Sequence, residues 1–151
     1  METRTRALGI DRNGALRLLA AVVAGALVSR LVLDGGSVLL RAVWPAYAAA
    51  EPDRAYSLAM LLTRLVLFAG MIAAVSAAGT WVARDRRFRW VAGGIILAIS
   101  APPHLLPGEV WDAYPVWYHL TYLASILPVA VWAGGRAARY APEPSVATEP
   151  G

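Results

Sequence analysis

The chain has 151 residues, of which 58% are hydrophobic and only 16% charged, and its mean hydropathy is +0.52. Average soluble domains carry roughly 25% charged residues, so this composition is untypical of a soluble globular enzyme. The absence of cysteine excludes disulfide scaffolds, thiolate metal sites and thiol catalysis. The length favours a single domain, which we assign to residues 1–140, with a Pro-rich polar tail over 141–151 that we expect to be disordered.

Four apolar segments dominate the rest of the chain, at residues 18–33, 57–83, 90–106 and 114–135. A helix needs about 20 apolar residues to cross the hydrocarbon core of a bilayer. None of the segments alternates with a period of two, and in lipid every backbone polar group must be paired internally, which favours helices. The sequence therefore predicts an all-α integral membrane protein, a compact bundle of four transmembrane helices.

Small residues recur at four-residue spacing in these segments, and such rows let membrane helices approach closely. The rows are Ala21, Gly25 and Ser29; Gly70, Ala74 and Ala78; Gly94 and Ala98; and Ala130 and Gly134. We expect them to hold the bundle together. The first row could instead serve a homo-oligomer.

The segment 34–56 is too long for a turn and too apolar for a free linker. Its apolar run is also too short for a fifth span. We predict either a short interfacial helix between helices 1 and 2, bent at Pro45, or a lid formed by 38–44 over the bundle.

The distribution of arginine predicts the orientation, because cytoplasmic loops are enriched in positive charge. All 14 cationic residues are arginine. Ten of them flank one side of the predicted spans, namely Arg4, Arg6, Arg12, Arg17, Arg84, Arg86, Arg87, Arg89, Arg136 and Arg139, and only Arg41 and Arg54 lie in the opposite loops. We therefore expect a multi-pass protein of the plasma (inner) membrane with both termini cytoplasmic. An alternative is that residues 1–26 form a cleaved signal peptide, which would leave three helices.

Charged and polar residues at membrane depth are costly and mark functional candidates. Arg30, Arg64, His104 and His119 all fall in the predicted outer half of the helices, with Tyr118 and Tyr122 near His119 and with Glu109 and Asp112 just above. We take these eight residues as candidate ligand-binding positions around an outer pocket. Structural roles compete with this interpretation: the arginines can snorkel to the interface, and the histidines can bond backbone carbonyls or join an aromatic belt.

Phosphate-loop, zinc-protease and hydrolase-elbow motifs are absent from the sequence, and no basic helix remains for nucleic acid. The arginine forks suit an anionic lipid headgroup or a small hydrophobic ligand with a carbonyl. We therefore favour a non-catalytic protein that binds such a ligand or acts as an accessory subunit of a larger membrane complex. One alternative is a redox or metal-dependent enzyme in which His104 and His119 bind haem or a divalent metal. A second alternative is a transporter or channel subunit.

Overall fold

The computed structural model describes residues 12–140, of which 87% are helical, with no strand among them. The elements are α1 (Arg12–Val43), α2 (Pro45–Ala50), α3 (Leu58–Ala83), α4 (Phe88–Leu105), α5 (Glu109–Ala113) and α6 (Val116–Tyr140). The prediction of an all-α chain is confirmed. The predicted disordered tail over 141–151 lies outside the described residues.

Three of these helices are long and apolar enough to cross a membrane, over Asn13–Val43, Leu58–Ala83 and Val116–Tyr140. The sequence prediction had four spans, the additional one at 90–106. The corresponding helix, α4, has 18 residues and two internal prolines. The count of four spans therefore stays a prediction.

The first helix differs most from the sequence prediction, which ended it at Leu33 and placed a loop or interfacial helix over 34–56. α1 instead continues through Asp34, Gly35 and Gly36 to Val43 as one helix of 32 residues. In this extension Gly36 lies against Leu67 of α3, where a Cβ atom would come within 2.3 Å of a Leu67 methyl group. The last turn closes with a bond from Trp44 N–H to Leu40 O, and Pro45 then prevents further helical pairing.

Neither predicted arrangement of this connection is therefore correct in detail. The segment 38–43 is the final part of α1, and the short helix is α2, which begins at Pro45. Tyr47 of α2 is fully buried. A short helix does cover this end of the bundle, but it lies later in the chain than the predicted lid.

The remaining helix ends follow from local chemistry. The Ser57 hydroxyl caps α3 by accepting a bond from Met60 N–H, and α3 ends at Arg84 in the left-handed conformation. α4 tolerates Pro102 and Pro103 because they fall in its last turns, where Leu106 N–H still reaches Pro102 O. Gly108, at a φ of 154°, allows the sharp connection into α5.

α3 is the central helix, and it packs against α1, α4 and α6, while α4 also packs against α6. The core between α3 and α6 is built from Ile72, Val75, Tyr122, Ile126 and Ala130. The Ser76 hydroxyl, which is fully buried, donates to Ala130 O at 2.7 Å and links the two helices directly.

Only some of the predicted small residues lie at close contacts between helices. A Cβ atom on Gly25 would meet Val75 at 3.1 Å, and one on Gly134 would fall within 2.8 Å of three side-chain atoms. Gly70 and Gly94 have no such neighbour within 4 Å, and Gly93 makes the close approach to α6 in place of Gly94. Spacing alone did not identify which face of α4 is buried.

The two ends of the bundle differ in chemistry, and we name them here. The aromatic end holds the end of α1, α2, the start of α3, the end of α4, α5 and the start of α6. The arginine end holds the opposite termini, with the α3–α4 turn at 84–87 and the last turns of α6.

Candidate functional site at the aromatic end

Arg64 lies on the second turn of α3, and tyrosine hydroxyls surround its guanidinium group. Its Nη1 donates to the Tyr47 hydroxyl at 2.6 Å and to the Tyr56 hydroxyl at 3.3 Å, and its Nη2 donates to the Tyr114 hydroxyl at 3.3 Å. The guanidinium carbon also lies 4.8 Å from the centre of the Tyr56 ring and 5.7 Å from that of Tyr114. Burial raises the pKa of Tyr56 to about 12, so this acceptor is neutral at physiological pH.

These partners leave the charge of Arg64 without an ion pair. Within residues 12–140 the salt bridges join Arg41 to Glu51 and Arg54 to Glu109, and neither includes Arg64. The Nε atom of Arg64 is buried and has no hydrogen-bond partner in that part of the chain. Arg64 is therefore a partly buried cation that neutral hydroxyls and aromatic faces solvate, and Nε is its one nitrogen without a hydrogen bond among the described residues.

The two ion pairs hold the short helices α2 and α5 in place around Arg64. Arg41, near the end of α1, holds Glu51 just after α2, and this contact lowers the pKa of the Glu51 carboxyl. Arg54 donates both to the Glu109 carboxylate and, at 2.9 Å, to the Glu109 backbone carbonyl. The Glu109 side chain is therefore paired with Arg54, which lies in the connection between α2 and α3. It does not sit beside the histidines as a metal ligand would.

His104 and His119 are brought together, as the sequence predicts for residues facing one pocket. Their Nδ1 atoms are 2.9 Å apart, and His119 Nε2 lies 3.1 Å from Tyr114 O and 3.2 Å from Trp111 O. Carbonyl oxygens only accept, so His119 Nε2 carries the proton. In the neutral pair His119 Nδ1 then accepts from His104 Nδ1–H, and the lone pair of His104 lies on Nε2.

This tautomer assignment determines what the histidine pair can bind. Both nitrogens of His119 are engaged within the chain, whereas His104 Nε2 has no hydrogen bond among the described residues. The geometry as it stands does not suit paired axial ligation of haem, which needs one free nitrogen from each ring. No group of three or more His, Cys, Asp or Glu residues within 12–140 is arranged to hold a metal ion.

The histidines and Arg64 belong to one continuous cluster. The Tyr122 ring lies 4.6 Å from His104 and 5.2 Å from Phe68, and its hydroxyl pairs with Ser100 at 3.0 Å. The centre of the Phe68 ring in turn lies 5.9 Å from the Arg64 guanidinium carbon. The cluster thus joins α3, α4 and α6 in one polar and aromatic network.

The structure brings most of the predicted site residues together, but not all. Arg64, His104, His119, Tyr118 and Tyr122 share the cluster, with Tyr118 stacked on Tyr114 at 4.9 Å. Two of the remaining candidates lie apart from it: Arg30, which is exposed on α1, and Glu109, which pairs with Arg54. Asp112 lies on α5, and its side chain makes no ion pair in the stretch 12–140.

Sequence reasoning missed four residues of the cluster: Tyr47, Tyr56, Tyr114 and Trp111. Trp111 stacks on His119 with ring centres 4.8 Å apart, and the three tyrosines supply the hydroxyls around Arg64. These residues come from loops and short helices, whose positions have no periodic signal in the sequence. In the sequence, only the concentration of tyrosine on both sides of the predicted outer loops indicated that aromatic residues gather there.

Comparison with known proteins adds no further assignment, since no family model, curated protein or solved structure matches this chain. Functional inference therefore depends on the geometry of the chain itself.

Proposed function

We propose that the chain is an integral membrane protein with four spans, in which α4 is the fourth. At about 1.5 Å per residue, the 18 residues of α4 extend for about 27 Å, close to the hydrocarbon thickness of about 30 Å. The arginines of the 84–89 turn and of the last turns of α6 favour a cytoplasmic arginine end. The aromatic end then faces the outer side of the plasma membrane.

At the aromatic end we propose a non-catalytic binding site for one anionic or carbonyl oxygen of an amphipathic ligand, such as a lipid headgroup. The observation that carries this proposal is the buried Nε of Arg64, a donor without a partner on a cation without a carboxylate. An orphaned buried donor is costly, and a charged donor more so. An anionic acceptor at this position supplies both the missing bond and the missing countercharge.

The polar neighbours favour recognition over catalysis. The hydroxyls around Arg64 are engaged with it, and His119 has both ring nitrogens occupied. His104 Nε2 is the remaining acceptor, which suits a ligand hydroxyl. A ligand with an acidic oxygen and a nearby hydroxyl therefore matches the Arg64 Nε donor and the His104 Nε2 acceptor.

The test uses a short-chain phosphatidic acid as the probe, with binding followed through tryptophan fluorescence. Trp111 is the reporter because it stacks on His119, and a Trp111→Phe variant identifies its share of the signal. We expect Arg64→Gln to weaken this response at least tenfold, since a hydrogen bond to a charged group is worth about 1.5–3 kcal/mol and 1.4 kcal/mol is tenfold in affinity.

Arg17→Gln is the control, because it removes an exposed arginine of α1 without touching the cluster or the proposed contact between copies. Arg64→Lys separates charge from geometry, as lysine keeps the charge but lacks the planar fork. If Arg64→Gln keeps its helicity and binds phosphatidic acid with wild-type affinity, the proposal is refuted.

We also propose that α1 contacts a second copy of the chain. Gly25 lies against Val75 and Gly36 against Leu67, so Arg30 sits opposite the middle of α3. Arg30 and Asp34 are both exposed, one turn apart on the same face. Unpartnered charges at this depth are costly, and two copies related by a two-fold axis can pair Arg30 of each with Asp34 of the other.

The cysteine-free sequence makes this contact directly testable. Leu31, 74% exposed beside Arg30, can be replaced by cysteine and oxidised in membranes. A cross-linked dimer is expected for Leu31→Cys but not for Leu97→Cys, which is partly buried against the core. Monomer alone at both positions would refute the proposed contact.

A further inference from the structure

A second site lies at the arginine end, on the opposite side of the molecule from the aromatic cluster. A cavity of about 390 Å³ opens between the start of α4 and the last turns of α6. Four arginines line it together with three uncharged residues, and the set is Arg86, Arg89, Arg136, Arg139, Val131, Trp132 and Gly135. A cavity of this volume falls within the range of about 300–1,000 Å³ that is usual for small-molecule sites.

Within residues 12–140 the four arginines make no ion pair. In the segment 12–140 both salt bridges involve residues of the aromatic end, and none includes a lining arginine. Asp85, the acidic residue nearest in sequence to Arg86 and Arg89, accepts a bond from the Arg87 backbone N–H. Like charges gathered around one cavity repel each other, and a bound anion relieves that repulsion.

One of these arginines also has an unsatisfied donor. The Nε of Arg89 is buried and has no hydrogen-bond partner in the described part of the chain. The guanidinium of Arg136 lies over the Trp132 ring at 5.1 Å, which leaves the edge of its fork available for an acceptor. Planar forks of this kind match the paired oxygens of a phosphate group.

The surroundings of the cavity indicate a lipid as the source of the phosphate. Trp132 on its rim is 61% exposed, and Trp81 and Trp90 at the same end are exposed by 53% and 54%. Tryptophan gathers at the headgroup level of membranes, and basic pockets between helices at the cytoplasmic side bind anionic headgroups. The cavity lies where the apolar parts of α3 and α6 end.

We propose that this four-arginine pocket binds the phosphate of an anionic phospholipid headgroup. The site is separate from the one at the aromatic end and does not depend on it. Gly135 lines the pocket directly beside Arg89, because a Cβ atom there would lie 2.8 Å from Arg89 Nη1. A large side chain at this position fills the pocket and displaces the Arg89 guanidinium, while the number of charges stays the same.

The experiment measures lipid retention by native mass spectrometry of the full chain, in micelles that contain equal amounts of phosphatidylglycerol and phosphatidylcholine. We expect the wild-type protein to retain phosphatidylglycerol preferentially. The paired change Arg136→Gln with Arg139→Gln should reduce that preference at least tenfold, and Gly135→Leu should reduce it to a similar extent. The matched control, Arg84→Asn with Arg87→Gln, removes the same charge from the adjacent turn outside the pocket and should change retention less than twofold.

Each outcome decides the matter. An equal loss in the control means that general surface charge attracts the lipid, and it overturns the pocket. Unchanged retention in Gly135→Leu overturns it as well, because all four arginines remain there. Binding of millimolar inorganic phosphate without any preferential retention of phosphatidylglycerol assigns the site to free phosphate and rejects the lipid. Circular dichroism monitors folding of every variant, and the Trp111 response described above tests the aromatic end by itself, so that failure of one site is distinguished from failure of the other.

Discussion

Gly134 on α6 is a position where the packing of the bundle is sensitive to one added atom. A Cβ atom there would lie 2.6 Å from Arg89 Cβ, 2.7 Å from Ser76 Oγ and 2.8 Å from Thr80 Oγ1. These atoms belong to α3 and α4, so Gly134→Ala must push α6 away from two helices at once. The first neighbour is a Cβ atom, which cannot move without its backbone.

The expected cost follows from this geometry. Overpacking a well-packed interior costs about 1–3 kcal/mol. Alanine also favours the helical conformation over glycine by up to about 1 kcal/mol, which would hide part of the loss. Gly94→Ala is the matched control because Gly94 is also helical and a Cβ atom added there would have no neighbouring atom within 4 Å, so this variant gains the same propensity without a clash.

The assay is unfolding by sodium dodecyl sulfate in mixed micelles, followed by tryptophan fluorescence and circular dichroism. We expect the free energy of unfolding of Gly134→Ala to lie about 1–3 kcal/mol below that of Gly94→Ala. If the two variants are equally stable, the close approach of α6 to α3 and α4 is wrong, and so is the argument that glycine is required there.

Three further predictions concern individual bonds. Ser76→Ala removes the bond to Ala130 O and should lower the free energy of unfolding, measured in the same assay, by about 0.6–1.7 kcal/mol. No change would mean that this bond does not contribute to α3–α6 association. Tyr47→Phe removes the 2.6 Å bond from Arg64 and should cost about 1.5–3 kcal/mol, whereas a neutral effect would indicate that water replaces the hydroxyl. Because the folded pKa of Tyr56, about 12, exceeds its ordinary value near 10, its contribution to stability is complete below pH 10 and is lost as pH rises through 12. Spectroscopic titration of tyrosinate should show one fewer late-titrating group in Tyr56→Phe than in the wild-type protein, and an unchanged titration curve would contradict this assignment.

The sequence by itself determined the all-helical class and the presence of apolar helices long enough to span a membrane, of which residues 12–140 contain three. Hydrophobic length and the requirement for internal backbone pairing are local properties, and they can be read along the chain. The same reasoning identified Arg64, His104 and His119, because polar residues within apolar segments stand out without any knowledge of their neighbours. The count of four spans and the cytoplasmic location of the termini stay predictions.

Only the tertiary structure decided what surrounds those residues. The extension of α1 through Asp34 depends on its packing against α3, and the hydroxyls of Tyr47, Tyr56 and Tyr114 reach Arg64 from segments far apart in sequence. Likewise, the arginines at the other end were readable as orientation signals, but their convergence on one cavity depends on how α4 and α6 pack. Contacts between distant segments arise from packing, which has no local pattern in the sequence, and they determine which charges remain unpaired and available for a ligand.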